Sequence, residues 1–298
     1  MGVRATREML LVVAALAASM SASVEAQETR VRGFGAERTP RSLGLADAAV
    51  ASGISTTGVF LNPAGVGMGS VFHTEAWYGF ANDLDRHVFG VVAVDSTTPI
   101  AGGLGFAWAY TGLPAEESNF YDARAVLALP LARIAAIGVN MRYVRVDYAE
   151  AIPHSPGALN DFTLDAGGIV QIDRFFLGVV GTNLTDLDHP LAPLALIVGA
   201  GMALGPGRLE FDAAFDWSSY DEVEPMGVKY AIGGEVLLLD VLVLRAGYRY
   251  EDIPDVHGIG AGIGYVDRHV ALDFGFQQDL SGDRSDTRLG LSARYFVR

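Results

Sequence analysis

Segments of roughly ten residues, in which large apolar side chains alternate with small or polar ones, recur along most of this chain. RLEFDAAFDW (208–217) and VALDFGFQQ (270–278) each place large apolar side chains at every second position. Because successive side chains of a strand point to opposite faces, this period predicts strands with one apolar and one polar or small face. Repeated strands of this kind are typical of transmembrane β-barrels, whose outer face contacts lipid and whose inner face lines the lumen.

The same alternation predicts about fourteen strands. Their connections alternate between short turns such as GPG and longer loops such as YAEAIPHSPGAL, which is the arrangement of outer-membrane barrels. We therefore predict an all-β fold, an outer-membrane β-barrel of antiparallel strands. The predicted strands lie near 69–81, 86–96, 101–111, 119–129, 133–147, 160–171, 174–183, 194–204, 207–217, 226–237, 240–250, 256–266, 269–278 and 287–297.

The amino terminus has the three parts of a Sec-type signal peptide. Two arginines precede the apolar stretch MLLVVAALAA (9–18), and a segment of small residues ends at Ala26, after which we expect cleavage. Export places a barrel in the outer membrane of a Gram-negative cell as a multi-pass protein. The predicted organisation is a signal peptide at 1–26, a plug or hatch segment at 27–68 and a transmembrane barrel at 69–298.

Composition excludes several other classes of protein. The net charge of −14 argues against a nucleic-acid partner, and the absence of cysteine excludes a disulfide scaffold. No stretch reaches the 18 consecutive apolar residues of a helical membrane span.

Residues 27–67 lack the strand period. RSLGLADAAVASG (41–53) has apolar residues at helical spacing, and we predict a short helix there. A fourteen-strand barrel is wider than one whose lumen is filled by side chains alone, so this segment either plugs the lumen or forms a periplasmic tail. The turn Asn62-Pro63-Ala64 suits a buried position, since the Asn side chain can satisfy nearby backbone groups.

The stretch SLGLADAAVASGISTTGVFLNPAGVGM (42–68), followed by VFHTEAWYGF (71–80), resembles the FadL-type outer-membrane transporter superfamily. In that superfamily an N-terminal hatch with an Asn-Pro-Ala motif precedes a fourteen-strand barrel, and Asn62, Pro63 and Ala64 match the motif. The resemblance implies passive uptake of hydrophobic molecules, with the hatch gating a lateral exit.

The shorter PorV/PorQ-like branch of the superfamily is the nearer match. His73, Glu75 and Trp77 occupy comparable positions in the first strand. PorV members imply an accessory role in protein secretion or surface attachment. We therefore predict a plugged channel for small hydrophobic or amphipathic compounds, with a non-transporting accessory protein as the alternative.

Charged residues of both signs fall on the inward positions of the strands. Acidic residues of the ninth strand are expected to face Lys229 on the tenth, forming either a fixed salt-bridge network or a lining selective for charged solutes. The lumen residues predicted here are Arg124, Arg142, Asp165, Glu210, Asp212, Asp216, Lys229, Glu235, Arg245, Arg249, Asp273, Arg288 and Arg294.

No catalytic motif, metal-ligand spacing or cofactor-binding loop occurs in the chain, so we predict neither an enzyme nor a cofactor. The expected partners are outer-membrane lipid and lipopolysaccharide, whose phosphates divalent cations could bridge to the acidic loops. A barrel of this kind also needs the barrel-assembly machinery for insertion. Its cargo would be a hydrophobic small molecule or, in the alternative function, a secreted protein.

Overall fold

A computed structural model of the chain describes residues 38–298 apart from several loop segments and the last residue. The segments left out of this description are 83–84, 113–117, 132–133, 149–157, 188, 190–191, 218–225, 253–254 and 281–285. The predicted signal peptide and the start of the predicted plug at Gln27 lie outside the described residues. In the described part, no helix is long and apolar enough to cross a membrane.

Fourteen antiparallel strands close into a single barrel in chain order, with β1 paired to β14. This confirms the predicted fold class, and the predicted strands overlap the observed ones throughout. The strands are β1 Phe72–Ala81, β2 Arg86–Asp95, β3 Ala101–Thr111, β4 Ser118–Leu131, β5 Ala135–Tyr148, β6 Leu159–Ile172, β7 Phe175–Thr182, β8 Ala195–Leu204, β9 Gly207–Asp216, β10 Gly227–Leu238, β11 Leu242–Glu251, β12 Val256–Val266, β13 Val270–Asp279 and β14 Thr287–Val297.

Large apolar side chains cover the outer face of the barrel. Phe211 on β9 and Leu272 on β13 are 47% and 49% exposed, whereas their inward neighbours Asp212 and Asp273 are buried. This alternation gives the barrel a continuous apolar exterior, as lipid contact requires.

Turns at one end of the barrel are short, but the loops at the other end differ in length. Segments 173–174 and 205–206 are two-residue turns, whereas loop 183–194 is among the longest. The connection after β1 is 82–85, close to the five-residue loop NDLDR (82–86) that the sequence predicts. It ends at Asp85, whose φ of 45° is a left-handed conformation that aspartate tolerates.

Residues 38–68, here called the inner segment, pack against inward-facing residues of the strands. They form helix α1 (Pro40–Gly44), helix α2 (Thr56–Leu61) and a 3₁₀ helix (Pro63–Met68). The helix predicted over 41–53 is wrong beyond Gly44. The chain leaves helical geometry at Ala46 and Asp47, whose φ angles are 50° and 74°.

Candidate functional site

The Asn62 side chain joins the inner segment to the barrel wall. Asn62 is fully buried, and its Oδ1 accepts a hydrogen bond from the Ala64 N–H at 3.2 Å. Its Nδ2 donates to the Val50 carbonyl at 3.0 Å and lies 3.3 and 3.4 Å from the carbonyl oxygens of Gly168 and Val179. The Asn62 side-chain amide therefore forms hydrogen bonds within its own turn and also reaches carbonyl oxygens of β6 and β7.

Glycines on the inner face of the wall make room for this turn. A Cβ at Gly138 would overlap the backbone of Pro63 and Ala64, and one at Gly167 would overlap the Asn62 side chain. The sequence shows these glycines as inward small positions, but nothing in their period reveals that a backbone lies against them.

Four consecutive backbone N–H groups of the inner segment, those of residues 49–52, donate to two carboxylates of β9. Asp212 Oδ2 accepts the first two at 2.8 and 2.9 Å. Glu210 accepts the other two, the Ser52 N–H at 3.1 Å. Both carboxylates are buried, so main-chain dipoles take the place of cationic partners at these oxygens.

The strands on either side of β9 leave the two carboxylates accessible to that backbone. Glu210 is flanked by Gly201 and Gly233, while Asp212 is flanked by Gly199 and Ala231. Because none of these four residues has a long side chain, the carboxylates meet the inner segment instead.

The expected pairing of the ninth-strand acids with Lys229 is wrong. In the register of the sheet, Lys229 stands opposite Ala214 of β9 and Glu251 of β11. Its Nζ lies 2.8 Å from Asp47 of the inner segment and 3.6 Å from Glu251. Asp216 is the last residue of β9, opposite Gly227.

Asp47 lies among three cations. Arg38 and Lys229 are 3.0 and 2.8 Å from its carboxylate, and Arg249 is 3.5 Å away. Burial by itself would raise the pKa of Asp47, but the charges of Arg38, Lys229 and Arg249 outweigh burial and hold that pKa below its usual range. Asp47 thus remains an anion that ties the inner segment to β10 and β11.

A second ionic group surrounds Glu235 of β10. Its carboxylate accepts from Arg41 of the inner segment at 3.1 Å and from Arg245 at 3.0 Å, and Arg208 lies 2.9 Å away. Arg245 also pairs with Asp273. The predicted lumen charges of β10, β11 and β13 therefore lie close together, and a residue of the inner segment enters their network.

The three first-strand positions all contact residues around α2. The His73 ring is hydrogen-bonded to the Ser55 hydroxyl, and the Thr56 hydroxyl donates to Glu75. Arg294 of β14 also donates to Glu75, at 2.8 Å. The third position, Trp77, packs against Phe60 with ring centroids 5.0 Å apart.

Arg124 of β4 binds the other end of α2. Its Nη1 donates to the Phe60 carbonyl at 2.9 Å, and its guanidinium lies 4.9 Å from the centre of the Phe60 ring. Asp122 orients it through paired hydrogen bonds of 2.8 Å. Arg142 also binds Asp122, and Asn140 donates to Asp165 at 2.8 Å, so the remaining predicted charges of β4 to β6 pair within the wall.

Strand pairing is continuous where α2 meets the wall. β3 pairs along its whole length with β2 and with β4. A hollow of about 580 Å³ in the same part of the wall is lined mostly by small and apolar residues, among them Ala76, Leu104 and Phe106, together with Glu75 and Arg294. Among the described residues, no group of three or more His, Asp or Glu side chains could hold a metal ion.

The fold matches those of a hydrocarbon channel, a toluene transporter and a FadL homologue. The monoaromatic hydrocarbon channel CymD has a TM-score of 0.65 and 15% identity, over 90% of this chain and 98% of that one. The Ralstonia pickettii toluene transporter TbuX has a TM-score of 0.62 and 13% identity, over 90% and 99%. A Pseudomonas aeruginosa FadL homologue has a TM-score of 0.64 and 11% identity, over 86% and 98%.

No protein-family model and no curated protein sequence matches the chain. The structural matches confirm the fold implied by the FadL-type resemblance, a fourteen-strand barrel of the outer-membrane type. The assignment to the PorV/PorQ-like branch stays a prediction.

Proposed function

We propose that this protein is an outer-membrane channel for the passive passage of small hydrophobic or amphipathic compounds. The observation that carries the proposal is a buried inner segment, bonded on several sides to a closed fourteen-strand barrel, in a fold similar to CymD, TbuX and the Pseudomonas putida toluene transporter TodX. Those proteins are channels or transporters by name, which favours a channel over the secretion-accessory alternative and over an enzyme.

In this proposal the inner segment is the described part of the plug. Its attachments at Asn62, Glu210 and Asp212 hold it across the lumen, and passage requires part of it to move. The mature chain begins after cleavage near Ala26, the plug spans 27–68, and the barrel spans 69–298. The lumen charges of β9 to β11 act as its anchors.

The apolar exterior supports a location in the outer membrane, with lipid around the strands and lipopolysaccharide around the loops. Insertion by the barrel-assembly machinery belongs to the same proposal.

Uptake in a Gram-negative host without its own hydrocarbon channels tests the function. Cells that produce the folded protein should take up radiolabelled toluene faster than cells without it, and uptake of a charged solute of similar size, benzoate, should not change. Folding is checked by heat-modifiable migration on gels. Equal toluene uptake in both cell types, with abundant folded protein, would contradict the proposal.

A further inference from the structure

An aromatic pair forms the contact between α2 and the wall strands β1 to β4. The rings of Phe60 and Trp77 meet edge to face, at an interplanar angle of 81°. Both side chains belong to a buried apolar cluster with Val59, Val92 and Val126.

Directly beneath each ring of this pair, the wall has a glycine. A Cβ at Gly90 would overlap the six-membered ring of the Trp77 indole, so the indole lies directly on the backbone of β2. A Cβ at Gly105 would lie 2.9 Å from the end of the Phe60 ring. Because these two positions carry no side chain, both aromatic rings can pack directly against the strand backbone.

The Trp77 indole carries a polar group that this apolar cluster does not satisfy. Trp77 is 4% exposed, and its Nε1 has no hydrogen-bond partner among the residues that the structure describes. By contrast, Nε1 of Trp108 donates to Asn119 at 3.2 Å. A buried indole N–H normally has an acceptor, so the one at Trp77 marks a place where an acceptor fits.

We propose that Phe60 and Trp77 form a binding site for a small neutral aromatic molecule that carries one hydrogen-bond acceptor, such as an aryl ketone. The ring of the ligand replaces the Phe60 ring beside the indole, and the ligand oxygen accepts the Trp77 N–H. This inference rests on the proposed channel function and narrows its substrate class.

The chemistry of the site selects that class. A single ring matches the Phe60 side chain that it replaces, and apolar side chains with two glycines disfavour a charged ligand. Arg124, whose guanidinium lies 4.9 Å from the centre of the Phe60 ring, is bound to Asp122 on its own strand. The free indole donor then distinguishes an acceptor-bearing ring from a plain hydrocarbon of the same shape.

The test compares acetophenone with α-methylstyrene, which has the same shape but a methylene group in place of the carbonyl oxygen. The full chain, labelled with ¹⁵N-tryptophan in detergent micelles, has three indole N–H groups, from Trp77, Trp108 and Trp217. Trp77→Phe identifies the Trp77 resonance. Acetophenone should move that resonance downfield and saturably, whereas α-methylstyrene at equal micellar concentration should not.

Trp108 and Trp217 control for partitioning into the micelle, since Trp108 lies on an outward position and Trp217 is 45% exposed. Phe60→Ala should tighten acetophenone binding by about two- to tenfold, the equivalent of one edge-to-face aromatic pair. Phe162→Ala on the outer face, 57% exposed, should leave it unchanged.

Two results would overturn the inference. One is a Trp77 resonance that stays in place, or that moves only in parallel with Trp108 and without saturation. The other is an equal downfield response to both compounds. Toluene uptake, measured separately, keeps the two proposals distinct: normal uptake without a Trp77 response overturns only the binding site, and a Trp77 response without uptake supports the site while contradicting the channel.

Discussion

The two sides of the inner segment are held by different kinds of interaction. Towards β9 to β11, residues 38–52 meet carboxylates and guanidinium groups, as at Glu210 and Glu235. Towards β2 and β3, α2 meets inward positions occupied by Gly, Ala and Val, for example Gly105 and Val92. The side facing β9 to β11 is fixed by directional bonds. The contact with β2 and β3 is apolar, and among the described residues directional bonds to α2 come only from the flanking strands, at Glu75 of β1 and Arg124 of β4.

This difference indicates where the inner segment can separate from the wall. Buried hydrogen bonds to charged groups are costly to break because both partners lose their only compensation. Apolar contacts can be replaced by an apolar molecule at little cost, because the molecule restores the same burial. We therefore expect the side facing β9 to β11 to act as the anchor and the side facing β2 and β3 to admit the solute.

The largest expected effect comes from removing the anchor with Glu210→Ala and Asp212→Ala together. Four buried N–H groups lose their acceptors, at roughly 1–3 kcal/mol each. Because the chain has no cysteine, Ser52→Cys provides a single reporter on a residue that is 4% exposed. Its labelling by a water-soluble maleimide should accelerate at least tenfold, which corresponds to about 1.4 kcal/mol.

Asp165→Asn is the matched control, because this buried acid accepts hydrogen bonds from Asn140 of β5 and from the Asn183 N–H, just after β7. In the Asp165→Asn variant, the maleimide should label the Ser52→Cys reporter at the same rate as in the protein that carries the reporter alone. Equal acceleration by both variants would show that β9 has no special part in holding the segment.

A smaller effect is expected from Asn62→Ala, which removes fewer bonds. The Ala64 N–H and the Val50 carbonyl lose a partner, at about 1–3 kcal/mol for a buried group. Single-channel conductance in planar bilayers should rise while heat-modifiable migration persists. Unchanged conductance would mean that the turn does not anchor the segment.

Two glycine substitutions compare the two sides directly. A Cβ at Gly247 would overlap the backbone of Leu45, whereas one at Gly105 would meet only the ends of the Val59 and Phe60 side chains. Backbone cannot yield as side chains do, so Gly247→Ala should speed labelling of the Ser52→Cys reporter several-fold, for a strain of about 1 kcal/mol or more. Gly105→Ala should change it little, and the reverse order would contradict the assignment of anchor and solute sides.

The smallest expected effect is that of lowering the pH from 7 to 5 on the contribution of Asp47 to holding the inner segment. Because its pKa is held below the usual range, its contribution is fully present above the ordinary carboxyl pKa of about 3.9 and is lost only as the pH falls through the lower native value. The conductance ratio of Asp47→Asn to the unaltered protein should therefore be the same at pH 7 and pH 5. A ratio that approaches one at pH 5 would show that Asp47 titrates in that window.

The barrel could be predicted from the sequence because strand period and loop position are local signals. Alternation in 208–217 and 270–278 indicates which face meets lipid, whatever lies in the lumen. The inner segment could not be predicted in the same way. Residues 41–53 have helical spacing, yet the N–H groups of residues 49–52 bond to Glu210 and Asp212, which are about 160 residues away in the sequence.

The same difference between local signals and long-range contacts holds for the candidate functional site. Asn62 and Trp77 were found through a local resemblance, whereas their partners depend on the register of distant strands. Lys229 shows this most clearly, since its shorter ion pair is with Asp47 of the inner segment and its longer one is with Glu251 of β11, not with the acids of β9.

Deletion of residues 28–60 tests most directly whether the inner segment closes the lumen. The deletion removes the contacts to β9, β10 and β11 together, while the strand ladder of the barrel closes without them. In planar bilayers the shortened protein should conduct far more than the full chain and still migrate in a heat-modifiable way. Conductance that stays near zero in a folded barrel would contradict the account, because the lumen would then be sealed by its own side chains.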